Sequence, residues 1–370
     1  MIHNLRSISL LMLTVMLTAC GGGGGGGGGS SNNSGIPIQI STSTAGKAAS
    51  LVVQTVVVGE SPNYNEAFPA AVVGVSLPAV SAFNLSRAYV GEVRDAAAST
   101  TVLPTGVTTP VPVSCKPGSG TGTKTYSNGA AGTADPITVH AVGDTLDITY
   151  TDCVIDLIKE GNNCISPTSP LKGIKLNGSV RTTITSYTSA SVFNVLVAYN
   201  NLRVASSTGA TDTLNGSIAV KQDGTAAPSY DVTAESATGD TLRTTSSSGE
   251  TQTLSATLIR VLDTQIAGAD CSTATPANNN AYNVKATSHG RVASSTAGYV
   301  DFTVNNDAVG DSDTAGGGFP DSGLITITGD GGISMTITGV GSGNASVSIN
   351  GSAACVRTWV DLFAGNFSGC

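Results

Sequence analysis

The chain has 370 residues, of which 11% are charged and 5% aromatic, and its formal net charge is −8. An acidic chain has no electrostatic footprint for nucleic acid and is weakly repelled by anionic lipid surfaces. Lys, Arg and Glu, which usually coat helices, are scarce, while Thr and Val are abundant; this composition disfavours a helical protein and favours strands.

Residues 1–19 carry one Arg, Arg6, and His3, then an apolar run from Ile8 to Leu17, then the small residue Ala19. A short basic start, an apolar stretch and a small-residue cleavage point are the parts of a secretory signal. The apolar run is shorter than the roughly 20 residues a spanning helix needs. Leu17-Thr18-Ala19-Cys20 resembles the lipobox of bacterial lipoproteins. The resemblance implies that Cys20 is acylated and becomes the mature N-terminus. Gly21 after it implies release to the outer membrane, on either its periplasmic or its cell-surface face. Nine glycines follow, Gly21 to Gly29, and residues 20–35 read as a lipidated tether. Glycine gains nothing by ordering, and about 15 such residues span roughly 20 Å root-mean-square. No Gly-Lys-Ser/Thr follows the tract, so it is not a phosphate loop.

Residues 36–81 read as a loosely organised lead-in. Leu51 to Val58 is mostly β-branched and is a candidate strand, and Pro62, Pro69 and Pro78 interrupt the chain after it. Residues 82–98 form the best helix candidate. Phe83, Leu85, Ala88, Tyr89 and Val93 recur at steps of three and four, with Ser81 placed to cap. Its predicted role is to cover a face or end of the sheet, since too few basic residues are present for a membrane-surface helix.

From Val111 onward a strand–turn rhythm takes over. Leu146, Ile148 and Tyr150 alternate with Asp147 and Thr149, which predicts a half-buried strand. About a dozen strands follow down to Cys355–Leu362, many separated by Asn-Gly, Asp-Gly, Thr-Gly or Ser-Gly signals. Short connections predict an antiparallel meander in a single β-rich domain over 82–370. Ser191 to Tyr199 is apolar on both faces and predicts a strand covered on both sides. A curved half-barrel or barrel around a helix would satisfy that strand and its one-sided neighbours. LNGSV at Leu176 is echoed by LNGSI at Leu214, and RVASST at Arg203 by the same run at Arg291. The spacings differ, so the echoes read as reused turns rather than a regular repeat.

Six cysteines lie beyond Cys20: Cys115, Cys153, Cys164, Cys271, Cys355 and Cys370. An even number in an exported chain implies up to three disulfides, and pairing Cys355 with Cys370 would tie the last strand to the chain's end. No Cys-x-x-Cys occurs and only His140 and His289 lie beyond the signal, which disfavours zinc. Cys115 with its following glycines, GDTLDITYTDC ending at Cys153, LNGSV at Leu176, PDSGLITITGDGG from Pro320 and TWVDL at Thr358 together resemble a family of β-rich proteobacterial lipoproteins of unknown function. The resemblance covers roughly residues 82–362. It implies a lipid-anchored β-rich envelope protein, brings no catalytic residues, and supports pairing Cys115 with Cys153. Cys164 and Cys271 are then left to each other.

Candidates for chemistry are sparse. No Gly-x-Ser-x-Gly occurs. His140 reads as a strand-end residue and His289 as a turn residue. Asp144, Asp147, Asp152 and Asp156 read as a solvated face beside a turn, without a distinguishable acid and base. Asp307, Asp311, Asp313 and Asp321 in the glycine-rich stretch 305–323 offer oxygen ligands for calcium, though at neither EF-hand nor glycine-rich repeat spacing. No other cofactor is implied. The expected function is a non-catalytic, structural or interaction role for a lipoprotein bound to the membrane through its N-terminal lipid. The alternatives are a carrier of an apolar ligand in a curved sheet, and an enzyme acting on glycan or peptide.

Overall fold

The computed structural model describes residues 35–60, 85–86, 89–90, 93, 110–127, 141–155, 173–189, 192–205, 211–226, 229–235, 242–265, 282–311 and 320–367. Fifteen strands form one antiparallel sheet. The first five are β1 (Val111–Val113), β2 (Thr121–Ser127), β3 (Thr145–Ile155), β4 (Ile174–Ser189) and β5 (Val192–Ala205). Next come β6 (Thr211–Ala226), β7 (Ser229–Glu235), β8 (Leu242–Ser246), β9 (Thr251–Gln265) and β10 (Tyr282–Ser294). The last are β11 (Gly298–Asp311), β12 (Pro320–Thr328), β13 (Ser334–Gly341), β14 (Asn344–Ile349) and β15 (Cys355–Thr358). Each strand pairs with its neighbour in sequence, except that β7 and β8 share the space between β6 and β9. The mainly β meander is as expected. It does not close into a barrel: the strand path ends on β1 and β15.

Alternation sets which face is buried. Leu146, Ile148 and Tyr150 of β3 are buried while Thr149 is exposed. In β5, Phe193, Val195, Val197 and Tyr199 are buried, but Leu196 and Ala198 on the other face remain partly exposed. This strand is covered on one side only, not both. An apolar run cannot reveal by itself whether a second layer will cover its outer face.

A line of bulges crosses the sheet. One extra residue is inserted in β3 between Tyr150 and Cys153, opposite Asn177 of β4. The same occurs in β5 between Tyr199 and Leu202, opposite Asn215 of β6, and in β9 between Ser255 and Leu258, opposite Gly290 of β10. Asp152, Asn201 and Ala256 on the bulged strands adopt positive φ. The amide of Asp152 donates to Asn177 Oδ1 (2.7 Å), and that of Asn201 to Asn215 Oδ1 (2.9 Å). The echoed Leu-Asn-Gly-Ser runs are therefore the partner halves of two bulges inside strands. They are not turns, as the Asn-Gly signal suggested. The Asn side chain holds the extra residue's amide, and Gly178 leaves room for the bulged backbone of β5 on its other side. A Cβ on Gly178, at φ +116°, would lie 2.9 Å from Leu202 Cα. Bulges of this kind bend a strand and increase its local twist.

Residues 45–60 form helix α1 (Ala45–Glu60), contrary to the expected loose lead-in with a strand at 51–58. Ala45, Ala48, Ala49, Leu51, Val52 and Val53 are all buried, against β9–β12 and a short helix, α2 (Trp359–Ala364). A helix buried nearly all round reads as a continuous apolar run, which local sequence does not distinguish from a strand. The β-body thus takes in the segment from residue 36. At its start the chain is fixed to the sheet: Ile38 N donates to Tyr299 O, Tyr299 N to Ile36 O, and Asp330 N to Ile38 O, each at 2.8 Å. Within the predicted helix 82–98, Leu85, Tyr89, Val90 and Val93 are helical and buried, and the hydroxyls of Ser86 and Tyr199 lie 2.6 Å apart. Burial pushes the Tyr199 phenol strongly up, against the opposing effect of the Ser86 hydrogen bond.

The segment 355–362, read as one strand, stops at Thr358. The Thr358 Oγ1 accepts from Asp361 N (3.0 Å) and donates to Asp361 Oδ2 (2.8 Å), which caps α2 at its start. Gly365, at φ +73°, ends it. Cys115 and Cys153 form a disulfide with Cα atoms 5.3 Å apart, joining the chain after β1 to β3 beside its bulge. Cys355 is disulfide-bonded, and its expected partner Cys370 lies outside the described residues, as do Cys20, Cys164 and Cys271.

Gly178→Ala and Gly118→Ala place a side chain at positive φ with and without a steric obstacle, since nothing lies within 4 Å of a Cβ at Gly118. Denaturant unfolding should show Gly118→Ala costing about 1 kcal/mol and Gly178→Ala about 3 kcal/mol or more; equal losses would mean that the bulge contact carries no weight. Replacing Cys115 and Cys153 together by Ser opens a loop with a sequence separation of 38 residues. Its loss should cost about 4 kcal/mol by chain entropy, measured by the same unfolding method under non-reducing conditions.

Candidate functional site

The sheet's inner face changes character along β8, β9 and β10. Leu242, Leu254 and Val292 form a buried apolar row across the three strands. One step along, Thr244, Gln252 and Ser294 are cross-strand neighbours on the same face, and all three are buried. Alternation brings Gln252 inward as surely as it does Leu254, so a polar row stands where a core would continue. It opens into a cleft of about 600 Å³, bounded by the start of α1, the end of α2 and the turn between β8 and β9.

The walls are held by close backbone approach and by one charged pair. A Cβ on Gly46 would fall on the Gly365 carbonyl oxygen, so glycine there lets α1 and the end of α2 touch. Ser50 Oγ donates to Phe363 O (2.8 Å), and Gln54 Nε2 donates to Ser50 Oγ (2.8 Å) and Phe363 O (3.1 Å). Lys47 Nζ lies 2.9 Å from Glu250 Oε1. The same oxygen accepts from Ser294 Oγ and from Thr296 Oγ1 (3.1 Å). Burial works to raise the Glu250 pKa, but the bonds from Ser294, Lys47 and Thr296 and the Lys47 charge outweigh it, leaving the carboxyl below the ordinary glutamate value. Gln252 differs from its neighbours: among the described residues its side-chain amide makes no hydrogen bond, although the residue is 7% exposed. The cleft escaped sequence reading because its residues come from 42–54, 248–252 and 363–367. Its one local trace is a glutamine at an inward position of an otherwise alternating strand.

The residues singled out from sequence do not converge. His289 lies exposed within β10 at the bulge rather than in a turn, and His140 is outside the described residues. Asp144 is buried and accepts from Ala141 N (3.0 Å), so it belongs to a turn and not to a solvated face. Asp147 pairs with Arg181 (2.6 Å) and Asp152 with Lys175 (2.7 Å), while Asp156 is outside the described residues. Asp307 and Asp311 lie on β11 and Asp321 on β12, where loop had been expected; Asp313 is outside the described residues. Among the described residues no three His, Cys, Asp or Glu side chains cluster to hold a metal. No helix among them is long and apolar enough to cross a membrane.

Glu250, with its pKa depressed on folding, contributes stability that is present above the unfolded glutamate value of about 4.3 and is lost as pH falls through the lower folded value. The melting temperature of the native protein should therefore fall more steeply than that of Glu250→Gln between about pH 5 and pH 3; parallel curves would show that the carboxylate is not stabilised by its partners.

No protein-family model, no curated protein and no solved structure matches the chain.

Proposed function

We propose that the protein is a lipid-anchored envelope lipoprotein with a non-catalytic, structural or interaction role. The observation that carries this reading is Leu17-Thr18-Ala19-Cys20 at the end of an apolar signal-like run, followed by nine glycines. An acyl group on Cys20 holds the N-terminus in the outer membrane, and the glycine tract spaces the body from the headgroups. The attachment of Ile36–Ile40 fits that role. A pull through the tether meets the three backbone hydrogen bonds to β11 and to the turn after β12 before it reaches α1. No specific observation favours an apolar-ligand carrier: α1 occupies the inner face along β9–β12, and the outer face of β5 is partly exposed.

Metabolic labelling with an alkyne fatty acid tests the reading in a bacterium that has an outer membrane. The native chain should take up label and fractionate with that membrane. Cys20→Ala should lose the label and appear in the soluble fraction. Label and membrane association that survive Cys20→Ala, or a native chain recovered soluble and unlabelled, would overturn the anchor.

A further inference from the structure

We infer that the cleft at the head of α1 binds a neutral polyhydroxylated ligand of mono- or disaccharide size. This goes beyond the anchoring role and does not depend on Cys20. Four observations define the ligand class. The volume, about 600 Å³, lies within the range of small-molecule sites. The walls are hydroxyls and amides, from Thr42, Ser43, Ser50, Gln54 and Gln252, which exclude an apolar occupant. The one cation, Lys47, and the one carboxylate, Glu250, already satisfy each other, so neither an anion nor a cation meets an unbalanced charge. The partly buried ring of Phe367, beside Phe363 and Ala364, gives a mainly polar wall an apolar surface, as the C–H face of a sugar requires.

Gln252 points to a ligand most directly. It is more than nine-tenths buried, lines the cleft, and makes no side-chain hydrogen bond among the described residues. Its amide is not one of the buried polar groups left without a partner, so it meets the cleft rather than the packed interior. An amide offers two donors and an acceptor in a fixed fork, which matches adjacent hydroxyls on one sugar ring. On the inner face of β9, Leu at this position would extend the row of Leu242, Leu254 and Val292. Gln252 is therefore a binding residue that presents its amide to the cleft from an inward position of β9.

The test uses the full-length chain in a non-glycosidic detergent, with maltose, cellobiose and diacetylchitobiose as probes and inorganic phosphate and spermidine as charged controls. Saturation-transfer NMR and titration calorimetry should detect at least one disaccharide, at concentrations up to about 10 mM, and neither control. Gln252→Leu should weaken that binding about tenfold or more, while leaving the ligand-free melting temperature unchanged or raised. Phe367→Ala should weaken the same binding and reduce saturation transfer to the sugar C–H protons, which gives a second readout should Gln252→Leu not fold. The proposal fails if none of the three disaccharides binds, if a charged control binds instead, if both variants bind as the native chain does, or if folded Gln252→Leu melts lower, which would assign the amide an internal partner.

Discussion

The line of bulges across β3–β10 is the constraint on which the rest of the sheet depends. In an antiparallel pair the side-chain period is two, so an uncompensated extra residue would turn every later side chain to the wrong face. Here each insertion is absorbed locally. Cys153 and Leu202 resume the buried pattern immediately after Asp152 and Asn201. Absorption uses a residue at positive φ on one strand and a glycine where a neighbouring segment approaches it, Gly120 for the bulge in β3, Gly178 for that in β5 and Gly290 for that in β9. Both are supplied three times, and in the first two cases an asparagine side chain satisfies the displaced amide. The break between β7 and β8 falls on the same line, where β6 and β9 change partners. The disulfide from Cys115 meets β3 just past its bulge.

Bending at the bulges gives the inner face something to enclose, and α1 is the element it receives. The helix is mainly apolar, with one narrow polar stripe of Lys47, Ser50 and Gln54 that lines the cleft. Its Val-rich sequence has no strong helical preference, so its conformation is stabilised chiefly by packing against β9–β12 and α2. Where α1 begins, the apolar inner face of β8–β10 gives way to Thr244, Gln252 and Ser294, and the cleft opens. The contact of Gly46 with Gly365 and the ion pair from Lys47 to Glu250 join three distant parts of the chain around that opening.

Much of the sheet was legible because strand alternation and sequential pairing are local properties. The strand around Leu146, Ile148 and Tyr150 could be read from seven or eight residues. The errors share one cause: the same residues serve different local structures. Asn-Gly and His-Gly signals that usually mark turns lie inside β4, β6 and β10, beside the bulges of β3, β5 and β9. The β-branched run in α1 looked like a strand because its tertiary partners were unknown. Thr358-x-x-Asp361 was a readable helix start, obscured by the apolar residues around it. The cleft had no contiguous motif at all.

By itself, the sequence determined the antiparallel β character and the inward positions of most strands, and it carries the apolar N-terminal run and Leu17-Thr18-Ala19-Cys20 on which the anchoring proposal rests. These depend on composition and on patterns only a few residues long. Only the tertiary structure decided that the meander does not close, that 45–60 is a buried helix, and that Lys47, Glu250, Gln252 and Phe367 meet at one cleft. Such contacts join residues up to about three hundred positions apart, and their energy exists only once the chain has closed those loops.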